Sequence, residues 1–308
     1  MMRLLVVVAA VACAAPPKKA APKKPQWHGC DEVRHWAASH RHDHTPATGW
    51  GGVFKGAVSH SQFGQDLVIV SIVQSLSKMN VSTWSPPFSY VDLATNDPLE
   101  GSNTFLLDAC FSWKGVCVEP NAVYREAILE KRSCPLVDTC VSDEERTVKF
   151  VNDFSLGHVV GRRLKPELTE LRCTTLRRIL EGRSPRVTYL SLDVEGHELA
   201  VLAGADWNRT VVDLLTLENA DASHVAFLRA RGIVPVLCVG IDTLFAREAL
   251  VEGVMAWFAN NEGQLPYLCV DRNLARCFNR DVRGFSCAAE VGVWNAWQKD
   301  PKWAKKTP

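Results

Sequence analysis

The strongest constraint in the sequence is a set of short apolar runs, of which Val187–Leu192 and Val211–Leu217 are the clearest. Near-continuous runs of this length belong to strands covered on both faces, as in a parallel sheet. Segments of helical spacing lie between them. The patterns predict helices over 65–77, 102–111, 124–131, 175–181, 198–202 and 225–230, with Ser102 as the N-cap of the second. They predict strands over 88–93, 115–118, 136–141, 147–152, 187–194, 211–217 and 233–239. Strands alternating with helices imply right-handed βαβ units. The expected fold class is α/β and Rossmann-like: a mostly parallel central sheet with helices on both faces.

Charge and the chain ends narrow the function. The 308 residues hold 35 basic and 34 acidic side chains. Five of the basic ones (Arg3, Lys18, Lys19, Lys23, Lys24) lie within residues 1–26, leaving 30 basic and 34 acidic residues, net −4, for the rest. That is not the basic face a phosphate backbone requires, so nucleic acid is not an expected partner. Arg3 followed by the apolar run Leu4–Ala15 reads as a secretory signal peptide. An uncleaved signal anchor and a buried N-terminal strand are the alternatives. A spanning helix needs roughly 20 residues, so no stable membrane span is expected beyond this segment. Residues 16–26 read as a solvated Pro/Ala/Lys linker. His28, His35, His40, His42 and His44 follow without the spacing of a metal finger. Lys305 and Lys306 read as a frayed basic tail.

Eleven cysteines, ten of them behind the signal, point to disulfides and an oxidising compartment. Cys269, Cys277 and Cys287 are expected to join bridges, whereas Cys117, inside an apolar strand, reads as a buried small residue. The sequons at Asn80 and Asn208 fit a glycoprotein of the secretory route, in the endoplasmic reticulum or Golgi lumen or outside the cell.

In a parallel sheet, ligands sit beyond the carboxyl ends of the strands. Four predicted strands end in acids there: Asp92; Glu119; Asp193 with Glu195; and Glu218. Acids converging on one rim suit a ribose diol, a sulfonium or ammonium group, or a metal. Glu119 closes the second strand, the position that accepts hydrogen bonds from ribose hydroxyls. The first loop has Ala94, Thr95 and Pro98 in place of a GxGxxG cradle, which argues against a dinucleotide. A nucleoside without phosphates, such as S-adenosyl-L-methionine, needs no such cradle.

Several segments together resemble the FkbM-type methyltransferase family. They are Ser61–Asp66, Val91–Asp97, Ser102–Thr104, Gly115–Asn121 and Ser191–Glu198, with Ile241–Phe245 like its late Asp-x-x-Phe element. The resemblance runs from about residue 60 to 246. It implies a class I methyltransferase fold, S-adenosyl-L-methionine as cofactor, and usually O-methylation of a hydroxyl. It implies that Asp92, Ala94 and Asn96 line the methionine end of the cofactor, with Ser102, Asn103 and Thr104 beside it. Glu119 would hold the ribose hydroxyls, flanked by Asn121. Val141 and Ser142, just past the third strand, would lie near the adenine. Gln62 and Asp66, in the leading helix, would close over the site. Ala94 and Pro98 depart from the glycines that many members carry there.

Asp193 or Glu195 is the candidate base, with His197 as another. Glu218 reads as a structural cap or an acceptor contact. No metal site is assigned, although Asp193, Glu195 and Glu218 are hard oxygen ligands that would suit magnesium. The expected acceptor is a glycan or small-molecule hydroxyl. The expected organisation is a signal (1–15), a linker and His-rich segment (16–58), the methyltransferase-like domain (59–250) and a Cys-containing extension (251–308). The competing function is a non-catalytic secreted or lumenal binding module on the same fold.

Overall fold

A computed structural model describes residues 29–38, 53–54, 57–79, 86–151, 158–159, 168–261 and 268–269. The signal, the linker, four of the five clustered histidines, Asn80, Cys277, Cys287 and the basic tail lie outside the described residues.

In chain order the elements are α1 (Cys30–Ala38), β1 (Val53–Phe54), β2 (Ala57–Val58), α2 (Gln65–Lys78), β3 (Ser89–Leu93), α3 (Phe105–Ala109), β4 (Lys114–Val118), α4 (Ala122–Lys131) and β5 (Leu136–Val137). There follow β6 (Cys140–Ser142), β7 (Arg146–Val151), β8 (His158–Val159), β9 (Leu168–Thr175), α5 (Leu176–Leu180), β10 (Arg186–Leu192), α6 (Glu198–Ala203) and β11 (Val211–Glu218). The last are α7 (Ala222–Arg229), β12 (Ile233–Val239), β13 (Asp242–Arg247), a 3-10 turn, α8 (Val251–Asn261) and β14 (Leu268–Cys269).

The central sheet has the order β5-β4-β3-β10-β11-β13-β12-β14. Its β5-β4-β3-β10-β11 part is wholly parallel, and β13 enters antiparallel between β11 and β12. This is the mostly parallel sheet expected from the apolar runs. Both faces are buried, and the strand alternation shows why. Tyr90, Cys117, Tyr189 and Leu214 join the core beneath α2, α3 and α8. Their neighbours Val91, Val118, Leu190 and Leu215 join the core beneath α5, α6 and α7. Helix α2 is the centre of the first layer, with ten buried residues. Helix α8 adds Val254 and Trp257, whose indole N–H donates to Ser71 Oγ at 2.9 Å. Gly115 is required by close approach: a Cβ there would stand 1.9 Å from the Tyr90 ring.

Three expectations need correction. The strand expected over 136–141 is two strands. Thr139 turns back on Val137 through a backbone hydrogen bond of 3.1 Å, so the chain leaves the main sheet after β5. It starts a second sheet, of order β6-β9-β7-β8. The helix expected from 102 begins at Phe105, and Ser102 Oγ still accepts the Phe105 N–H at 3.1 Å. Cys117 is no mere filler: it is fully buried and bonded to Cys134.

Two other bridges, Cys30–Cys110 and Cys140–Cys173, tie α1 to the end of α3 and β6 to β9. Cys238 is disulfide-bonded as well. Among the described residues no helix is long and apolar enough to cross a membrane.

Candidate active site

The carboxyl ends of β3, β4, β10 and β11 open on one cleft of about 480 Å³. Asp92, Glu119, Asp193, Glu195 and Glu218 line it, with Gln62, Ala94, Asn96, Ser102, Asn103 and Asn121. The parallel register puts these acids on one rim: Asp92 pairs with Ser191 on one side and Cys117 on the other. Four of the five non-glycine residues with left-handed backbone among the described residues lie at these strand ends: Ala94 (φ 59°), Asn96 (55°), Glu195 (55°) and Asn219 (51°). Such conformations are sparsely populated and collect at functional sites.

Glu119 is held by two backbone donors. Asn96 N–H reaches Oε2 and Asn121 N–H reaches Oε1, both at 2.7 Å. Each oxygen keeps a further lone pair for a ligand. Burial pushes its carboxyl up to about 7, against the pull of those two amides. Asn121 also caps α4 by accepting the Val123 N–H.

Asp92 is fixed from behind. Thr104 Oγ1 donates to Asp92 Oδ2 at 2.6 Å, and the buried Arg132 guanidinium lies 3.5 Å from the same oxygen. Arg132 also donates to Thr104, to Tyr90 OH and to Asp108, at 2.6, 3.2 and 3.2 Å. Burial raises the Asp92 carboxyl, and Arg132 opposes the rise.

At the other end, the ligand oxygens of Asp193, Glu195 and Glu218 lie within 4.8 Å of one another. Burial and the facing Glu218 carboxylate raise Asp193 well above the ordinary aspartate range. Burial raises Glu218, and Asp242 at the start of β13 adds to it. Burial and Asp193 push Asp242 up to about 7, although it accepts a hydrogen bond from Gln65 at 2.9 Å.

The residues named from the sequence fall into three groups. Those lining the acid cleft are given above. Val141 and His197 instead line an adjoining apolar recess with Val118, Phe150 and Val194. The cleft and the recess share Ala94, Pro120 and Phe150. His197 sits at the N-cap of α6, its Nε2 3.0 Å from Ser142 Oγ, and burial lowers its pKa. It is therefore beside the recess rather than with the acids. Ser142, Thr104 and Asp66 are fully buried. Asp66 takes hydrogen bonds from Ser59, Ser61 and the His60 N–H, which organise the turn into α2. Gln62 precedes that helix.

Arg132 and Phe150 carry no mark in the sequence. Arg132 follows α4 as one basic residue after another, and Phe150 comes from a strand of the second sheet. Only the tertiary fold brings Phe150 to the cleft and Arg132 behind Asp92.

No curated protein matches the chain. A family model described as the Methyltransferase FkbM domain matches residues 92–232, from the first acid of the rim to the turn before β12. The matched span takes in all four acid-bearing strand ends. Over residues 92–232 this chain is similar to the FkbM methyltransferase domain.

Proposed function

We propose that the chain is an S-adenosyl-L-methionine-dependent O-methyltransferase, acting on a glycan or small-molecule hydroxyl in the secretory pathway. The observation that carries the reading is Glu119. A buried carboxylate at the end of the second parallel strand, with one lone pair of each oxygen directed to backbone and one spare, suits two ribose hydroxyls. The residues around it fit the rest of a nucleoside donor. The apolar recess of Val118, Val141 and Phe150 suits a flat base. Asp92 and Asn96 border the opposite, polar side. When bound, the donor supplies an electrophilic methyl group on a sulfonium. Three bridges among the described residues favour an oxidising compartment.

The chain's own residues have two tasks. Glu119 and Asp92 fix the donor so that the acceptor oxygen meets the methyl carbon in line. The acidic trio at the other end receives the hydroxyl proton, with Asp193 as the acceptor residue and Glu218 hydrogen-bonded to it.

The Glu119 assignment has two measurable consequences. Glu119→Ala is expected to weaken S-adenosylhomocysteine binding by roughly 1–3 kcal/mol, because ribose hydroxyls lose their acceptors. Only the ionised carboxylate accepts from both hydroxyls, and its folded-state pKa is about 7. Affinity is therefore expected to fall about tenfold between about pH 8 and about pH 6, and Glu119→Gln is expected to flatten that dependence. Wild-type affinity in folded Glu119→Ala would remove the assignment.

A further inference from the structure

We propose that Asp193, Glu195 and Glu218 hold a hard divalent cation of the magnesium or calcium class. Its role beside the methyl acceptor rests on the methyltransferase reading; its existence does not. The three ligand oxygens lie within 4.8 Å of one another. Three oxygens spaced 4.8 Å apart would each stand about 2.8 Å from an ion at their centre, so closing that spacing by about 0.5 Å brings them into the roughly 2.3–2.6 Å range of calcium–oxygen contacts, and by about 1.2 Å into the roughly 2.0–2.1 Å range of magnesium.

A second observation is independent of this spacing. Asp193 Oδ1 is sealed from solvent and meets no N–H or O–H donor among the described residues. Glu218, the side chain hydrogen-bonded to Asp193, is another carboxylate. Asn103, which lines the same cleft, also has a buried side-chain oxygen without a donor. Buried acceptors without donors are rare, because each costs free energy unless something fills its lone pairs.

The other buried acids of the protein are served differently. Asp92 and Asp108 share Arg132, and Asp213 is clasped by Arg186 and Arg247. Asp193 and Glu218 pair with no Arg or Lys among the described residues. A sulfonium carries one diffuse positive charge, and a hydroxyl donates one hydrogen bond. Neither matches three carboxylates meeting at one point; a doubly charged ion with several oxygen ligands does.

The test is calorimetric titration of chelator-stripped, disulfide-intact full chain with Mg²⁺, Ca²⁺ and Mn²⁺ separately. One site with a Kd below about 1 mM for at least one ion is the expected result. Asp193→Asn/Glu218→Gln is expected to lose at least about tenfold in that affinity. Should the double variant not fold, Glu195→Gln reports in its place, with a smaller loss in the same direction. S-adenosylhomocysteine is titrated into the same samples. Donor binding without cation binding overturns this proposal and leaves the methyltransferase reading standing. Cation binding without donor binding does the reverse. A Kd weaker than about 10 mM for all three ions, or unchanged cation affinity in the folded variants, overturns it as well.

Discussion

Replacing Arg132 by methionine is expected to cost about 3–5 kcal/mol of folding stability. The side chain is wholly buried, and its guanidinium lies within 3.5 Å of Asp92 and 3.2 Å of Asp108. Burial works against its charge, but Tyr90, Asp92 and Asp108 together outweigh it. Methionine fills much of the same volume, so the loss isolates the charge rather than a cavity. It leaves two carboxylates in the interior without their shared cation. It also strands Thr104 and Tyr90, which receive Arg132 N–H donors. Since whole domains are stable by only about 5–15 kcal/mol, the variant sits near the folding threshold. Arg132→Lys keeps the charge but not the planar fork, and is expected to fall between the two. Urea denaturation measures all three proteins. A loss under about 1 kcal/mol for the methionine variant would show that Asp92 and Asp108 do not depend on this residue.

The second large effect concerns Asp193→Asn. The amide keeps a hydrogen-bond donor toward Glu218, so the fold and the rim geometry survive. What disappears is the ability to take a proton, together with one carboxylate ligand of the proposed cation. Methyl transfer to the hydroxyl acceptor is expected to fall about 10²–10⁴-fold, the range for a lost general base. Donor affinity is expected to stay close to wild type, because Glu119 stands at a different strand end and is held by its own two backbone donors. The division between turnover and binding is the informative part. Wild-type turnover in a folded variant would remove Asp193 as the proton acceptor. Equal losses in turnover and donor affinity would instead make it part of the donor site.

Much of this architecture was legible in the sequence because it follows from two periodicities. Unbroken apolar runs meant strands buried on both faces, and β10 and β11 are such strands. Once the sheet is parallel, all its carboxyl ends share one rim, so Asp92, Glu119, Asp193 and Glu218 had to converge. What escaped has physical reasons. Strand β9 carries Thr169, Glu170 and Arg172 exposed beside buried Cys173, a pattern with no apolar run to mark it. It sits in the second sheet, away from the main core. The break between β5 and β6 turns on Asp138 and Thr139, which no helix or strand period distinguishes. Cys117 has the apolar neighbours of a filler residue, and its partner lies 17 residues further on. Arg132 is invisible for a similar reason: its partners Tyr90, Asp92, Ser102, Thr104 and Asp108 come from β3, α3 and the loop between them, and only packing assembles them.

Binding of a nucleoside methyl donor at the rim is open to direct measurement. The most direct measurement is calorimetric titration of the folded, disulfide-intact chain with S-adenosyl-L-methionine and with S-adenosylhomocysteine. Micromolar affinity for both is expected at about pH 8. No binding up to about 1 mM of either ligand would contradict it, and would leave the fold as a binding module whose acidic cleft serves a different ligand.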